Sequence, residues 1–115
     1  MATTKRATSA EKDATDEQLL ELFKALSNPT RLQILRWLGD PGANFAPQEE
    51  PAEEVGVCVK QIQEKAGISQ STASQFMGVL QRAGLVSSRR IGRWTYFRRE
   101  DERIGELPAL LRDGL

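Results

Sequence analysis

The sequence predicts a mainly α-helical domain carrying one small β-hairpin, in the order helix, helix, short strand, helix, helix, strand, strand, helix. Three observations lead there. Apolar residues recur at helical spacing in five segments. Two of these segments are joined by a three-residue turn containing Gly67 and Ser69. Two β-rich runs then flank a short connection containing Gly92. At 115 residues the chain has room for one domain.

Residues 1–14 mix Ala, Thr, Ser and charges without an apolar period, so an unstructured tail is expected, followed by one domain over 15–115. Thr15-x-x-Gln18 has the form of a capping box, and Leu19, Leu22, Phe23 and Leu26 follow as an apolar stripe. Asn28 can cap a second helix with Pro29 at its first position, where the missing N–H costs nothing; Leu32, Ile34, Leu35 and Leu38 supply its buried face. That helix should stop by Gly39, before the turn residues Asp40-Pro41-Gly42. The acidic, aperiodic stretch to Glu54 reads as a long surface loop.

Val55 to Cys58 can form a brief strand entering a helix over 59–66, with Val59, Ile62 and Ala66 inward. Gly67 suits the left-handed residue that ends it, and Ser69 caps the next helix, 70–83, whose Ala73, Phe76, Met77 and Leu80 face the core. Gly84 stops it. Runs 85–90 and 93–98 form the hairpin around Ile91-Gly92. A last helix over 101–111 carries Ile104, Leu107, Leu110 and Leu111 on one side, and Pro108 should kink it or divide it.

Charge is divided along the chain although the net is zero. Residues 1–57 hold six Lys/Arg and ten Asp/Glu, residues 58–99 eight and one, and residues 100–115 two and five. The middle segment, with Lys60, Lys65, Arg82, Arg89, Arg90, Arg93, Arg98 and Arg99 against Glu64 alone, has the footprint of a phosphate-facing surface. The alternative is a basic face held against the acidic ends of the same chain. No apolar run approaches the ~18 residues of a membrane span, and the first residues lack a secretory apolar stretch, so a cytoplasmic location without membrane contact is expected. A lone cysteine, Cys58, fits a reducing compartment.

Helix, helix, helix-turn-helix, hairpin, helix is the order of a winged helix-turn-helix, with the hairpin as wing. Its second turn-flanking helix places Gln70, Ser71, Thr72, Ser74 and Gln75 at the N-terminal end. Gln can pair with adenine in the major groove, Ser and Thr can bond bases or phosphates, and a helix N-terminus favours an anion. Such a first turn can equally serve only to cap a surface helix. Arg89, Arg90 and Arg93 at the hairpin tip suit phosphate or minor-groove contact, or an ordinary solvated turn. Trp94 and Tyr96 are expected to pack inward rather than to stack on bases.

Three stretches carry a resemblance: LSNPTRLQILRWL (26–38), GISQSTASQFMGVLQRAGLV (67–86) and RRIGRWTYFR (89–98). Over roughly Asp16 to Leu111 the chain resembles the ArsR (arsenical-resistance) family of bacterial repressors. The resemblance implies a homodimeric repressor of double-stranded DNA, with Gln70, Ser71, Ser74 and Gln75 at positions that touch DNA. Leu19, Leu22, Phe23, Ile104, Leu107 and Leu111 exceed what so small a core readily buries, so the first and last helices are expected to join the subunits. Many members are released by metals through paired cysteines or through Asp and His residues. Here Cys58 falls at the first cysteine position but Lys60 stands at the second, and the chain has no histidine. No metal site and no cofactor are therefore expected. Release would depend on an organic inducer, on Cys58 oxidation, or on no ligand. The absence of histidine, of a glycine-rich phosphate loop and of paired carboxylates speaks against an enzyme. A winged helix used for protein association is the remaining alternative, and salt dependence separates it from DNA binding.

Overall fold

The computed structural model describes the backbone from Ser9 to Leu115 and the side chains from Asp16 onward; residues 1–8 lie outside the described residues. Helix α1 runs Ser9–Leu26 and α2 Pro29–Leu38, followed by two single helical turns, α3 (Pro41–Asn44) and α4 (Ala52–Val55). Strand β1 (Val57–Cys58) leads directly into α5 (Val59–Ala66), then come α6 (Gln70–Arg82), β2 (Val86–Ile91), β3 (Trp94–Arg99) and α7 (Asp101–Gly114). The strands form one antiparallel sheet in the order β1-β3-β2, with Cys58 opposite Tyr96 and Ile91 opposite Trp94. This is a winged helix-turn-helix, as expected.

The local chemistry accounts for most boundaries. Asn28 Oδ1 accepts from the Thr30 and Arg31 amides at 2.9 and 3.0 Å, and Pro29 starts α2. Gly67 closes α5 at φ 68°, ψ 36°, and Ser69 Oγ accepts from the Thr72 amide at 3.1 Å to open α6.

Three expectations are corrected and a fourth is narrowed. Helix α1 begins at Ser9, so residues 9–14 of the expected tail are helical and Thr15 lies inside the helix rather than at its cap. Ala10, Glu11, Lys12 and Ala14 are good helix formers, and no apolar stripe in the sequence announces this part of the helix. The expected loop after Gly39 contains two helical turns: Asp40 caps the first through the Ala43 amide, and Pro51 precedes the second. The hairpin turn is Gly92-Arg93, one residue later than expected, with Gly92 at φ +63°. Helix α7 passes through Pro108 as a single element, so of the two expected outcomes, a kink or a division, the helix is not divided; the proline deprives the Ile104 carbonyl of its usual donor.

The core lies between α1, α2, α5, α6 and the inner face of the sheet. Leu22, Ile34, Val57, Ile62, Met77, Leu80 and Leu85 are almost wholly buried. Each such side chain contributes about 1.5–3 kcal/mol by leaving water. Gly56 lets the chain pass close over β3: it has φ +99°, and a Cβ there would overlap the Phe97 carbonyl. Arg31 ties three helices together. Its guanidinium donates to the Ala25 and Lys24 carbonyls at 2.9 and 2.8 Å, closing the end of α1, and lies 5.1 Å from the ring centre of Phe76 on α6.

Candidate nucleic-acid interface

Helix α6 presents two faces. Ala73, Met77 and Leu80 are buried, while Gln70, Ser71, Ser74 and Gln75 are exposed. The inward residues fix the rotation of the helix, so the outward polar set is held on a rigid support. Thr72 differs from its expected role. It is half-buried, and its hydroxyl accepts from Ser69 Oγ at 2.9 Å, which commits it to the cap. Sequence reasoning passed over the continuation of the outward stripe. At helical spacing from Ser71 and Gln75, Gly78 and the exposed Arg82 share their face, and that spacing was the signal.

The wing stands on α6 through Gln81 Nε2, which donates to Ser88 Oγ on β2 at 3.1 Å. Because β2 is an edge strand, Ser88, Arg89 and Arg90 are all exposed, as is Arg93 in the turn. Arg90 Nε donates to the Gly92 carbonyl at 3.2 Å, which steadies the tip. Cross-strand partners share a face, so Arg90, opposite Thr95, lies on the side of Ser88 and the buried Phe97, toward α6. Arg89, opposite Tyr96, lies on the other side, with Ile91 and Trp94.

The basic segment resolves into two parts. Arg98 pairs with Glu100 at 3.6 Å and donates to the Glu54 carbonyl, and Arg99 pairs with Asp101 at 2.6 Å. Lys65 lies 4.9 Å from the ring centre of Trp37. Arg98 and Arg99 thus meet the chain's own acids, as the alternative reading of the charge block had it, while Lys65 rests on an aromatic ring. Among the described residues, Lys60, Arg82, Arg89, Arg90 and Arg93 enter no ion pair. The cations left over are those of the wing and its surroundings.

Tyr96 is buried, as expected. Burial pushes its phenol above the ordinary value of 10, helped by the nearby Cys58, Glu50 and Glu49. Trp94 is not packed in the core: it is 38% exposed, with Lys60 Nζ 5.9 Å and the Arg93 guanidinium carbon 5.8 Å from its ring centre. The indole stands next to the wing turn, with exposed cations of α5 and the turn beside it, and stays at the surface.

The residues expected at a subunit interface also divide. Leu19 and Leu22 are buried within the single chain at 6% and 1% exposure, Phe23 is exposed, and Ile104, Leu107 and Leu111 are half-buried. Leu20 and Leu115, absent from the expected set, are the most exposed large apolar residues at 67% and 89%. The stripe of α1 is thus spent on the core, and its neighbouring face is left apolar. Helices α1 and α7 meet near Leu19 and Gly114.

Among the described residues no three His, Cys, Asp or Glu side chains gather as a metal site, and no helix is long and apolar enough to cross a membrane.

Residues 26–89 match a family model described as a helix-turn-helix domain. YbzH of Bacillus subtilis, an HTH-type transcriptional regulator, is 51% identical over 94 residues, covering 81% of this chain and 94% of that protein. The putative arsenical resistance operon repressor ArsR2 of Halobacterium salinarum is 36% identical over 78 residues, 68% of this chain and 56% of that protein. Among solved structures, the homodimeric winged helix-turn-helix DNA-binding domain of Mb0332 from Mycobacterium bovis, a possible ArsR-family regulator, is 31% identical. It superposes with a TM-score of 0.65 over 93% of this chain and 86% of that one. With the fold, the helix-turn-helix stretch and relatives of this likeness in agreement, the chain belongs to the ArsR family of winged helix-turn-helix transcriptional regulators.

Proposed function

We propose that the protein is a cytoplasmic repressor that binds an inverted-repeat operator as a homodimer. The observation that carries this reading is the outward stripe of α6 beside a wing tip whose Arg89, Arg90 and Arg93 have no carboxylate partner among the described residues. Gln70, Ser71, Ser74 and Gln75 read base edges in the major groove, with Thr72 holding the cap that positions them. Arg89, Arg90 and Arg93 contact phosphates and set register without reading sequence.

One winged helix offers few base contacts, so a two-fold pair is needed to place two recognition helices on one face of the duplex. The exposed Leu20, Phe23 and Leu115, with the half-buried Ile104, Leu107 and Leu111, supply an apolar face on α1 and α7 for that pairing. The homodimeric state of the Mb0332 domain supports the reading.

Thiophilic metals do not trigger release. A tight zinc, cadmium or arsenite site takes three or four soft or imidazole ligands, and a dimer of this chain holds two cysteines and no histidine. The signal, if there is one, is an organic inducer.

The test is duplex binding by labelled DNA anisotropy across salt concentrations. A DNA-binding winged helix loses affinity steeply as counterions compete, whereas one that docks on proteins shows weak, sequence-indifferent association with DNA. Sedimentation at micromolar concentration should give a dimer; a monomer, both free and on DNA, overturns the assembly.

A further inference from the structure

The indole of Trp94 carries two cations that belong to different elements. Lys60 comes from the first turn of α5 and Arg93 from the wing turn, and each lies within 6 Å of the same ring centre, at 5.9 and 5.8 Å. All three side chains are exposed, and among the described residues neither cation has a carboxylate partner. Two like charges drawn to one site repel unless something offsets them. The negative face of the indole offsets part of this, and an anion would offset the rest.

Strand register says where such an anion lies. Trp94 shares its sheet face with Arg89 and Tyr96, opposite the face of Ser88 and Arg90 that meets α6. A hairpin lying along DNA has a phosphate backbone on each side; Arg90 serves the α6 side, and Arg89 is the strand arginine on the side of Trp94.

We propose that Lys60 and Arg93, held in place by Trp94, form a clamp for a DNA backbone phosphate on the side of the wing away from the recognition helix. Lys60 is then a DNA-contacting residue on α5. Trp94 is a positioning residue: it orients the two cations. The inference rests on the DNA-binding reading above, and adds to it a contact from α5.

The experiment uses the full chain and a labelled duplex of about thirty base pairs of mixed sequence, since a phosphate contact is indifferent to sequence. Affinity is measured between about 50 and 200 mM salt. Each phosphate contact contributes about 0.9 to the slope of log affinity against log salt. Lys60→Ala and Arg93→Ala should each flatten the slope by about that amount relative to the parent. Trp94→Ala should flatten it as Lys60→Ala does, while Trp94→Phe, which keeps an aromatic face, should restore the parent slope. A merely structural role for Trp94 would lower the melting temperature and leave the slope unchanged. Arg90→Ala serves as the control for the wing as a whole. If Arg90→Ala flattens the slope and Lys60→Ala does not, the clamp is wrong and the wing assignment stands. If none of the variants changes the slope, the clamp and the wing assignment both fall.

Discussion

At the residue scale, polar side chains on α6 and on the wing have separable jobs, and substitutions should separate them. On the proposed reading Gln75→Ala removes a paired donor and acceptor from the major groove, and should cost about 1–3 kcal/mol on the preferred site while relaxing preference at one base pair. Arg90→Ala should weaken all sequences alike. Competition binding against a panel of single-base-pair variants distinguishes the two; equal losses across the panel for Gln75→Ala would remove it from base reading. Capping is independent of DNA: Asn28 satisfies two free amides at the start of α2, so Asn28→Ala should lower stability by about 1 kcal/mol in urea unfolding with DNA absent. Tyr96 gives a pH signature. Its folded-state pKa lies above the ordinary 10, so the neutral phenol is the form that the fold favours. That contribution is fully present below the unfolded value and is lost as pH rises through the folded one. Alkaline unfolding should therefore steepen above pH about 10 in the parent and less so in Tyr96→Phe. The Asn28 and Ser69 caps were legible in the sequence because their partners lie two or three positions away, whereas the cap expected at Thr15 falls inside a helix that begins at Ser9. The exposure of Trp94 was not, because it depends on how far the covering helices reach along the hairpin.

At the element scale, the division of α1 between core and free surface decides assembly. Leu22 is buried in the single chain, so Leu22→Ala should destabilise the fold by about 2–5 kcal/mol without abolishing pairing of the molecules that fold. Leu20→Glu combined with Phe23→Glu places charge on the exposed face and should yield a folded monomer by sedimentation. A dimer that survives this double substitution would move the interface away from α1. Helical periodicity identified α1 and α7 but could not tell which face of each meets its own core, because a stripe of Leu19, Leu22 and Leu26 has the same spacing whether its partner is in the same chain or another. The two helical turns after Gly39 escaped sequence reading for a different reason. A single turn shows no period, and here it is set by Asp40, Pro41 and Pro51. The wing and the helix-turn-helix were legible nearly to the residue because Gly67, Ser69, Gly84 and Gly92 mark each junction.

At the scale of the whole molecule, a chain of zero net charge reaches DNA because its acids and bases are segregated. Part of the basic segment turns back on the chain, Arg98 and Arg99 to its acids and Lys65 to the Trp37 ring, and Arg82, Arg89, Arg90, Arg93 and Lys60 remain on or beside the wing and α6. This arrangement favours orientation over bulk attraction: a phosphate backbone meets cations at the wing and carboxylates at the α3–α4 region. The same count of ligand atoms governs regulation. Micromolar zinc, cadmium or arsenite under reducing conditions should leave DNA affinity unchanged, and release that disappears in Cys58→Ser would reveal a metal site shared between subunits. The central claim, sequence-specific binding by a two-fold pair of recognition helices, is tested most directly by a protection footprint on the DNA upstream of the protein's own coding sequence. The account predicts two protected half-sites in inverted repeat, with centres about one helical turn apart or a small multiple of it, and their loss in Gln75→Ala. Uniform protection without boundaries, or a single half-site bound by a monomer, would contradict it.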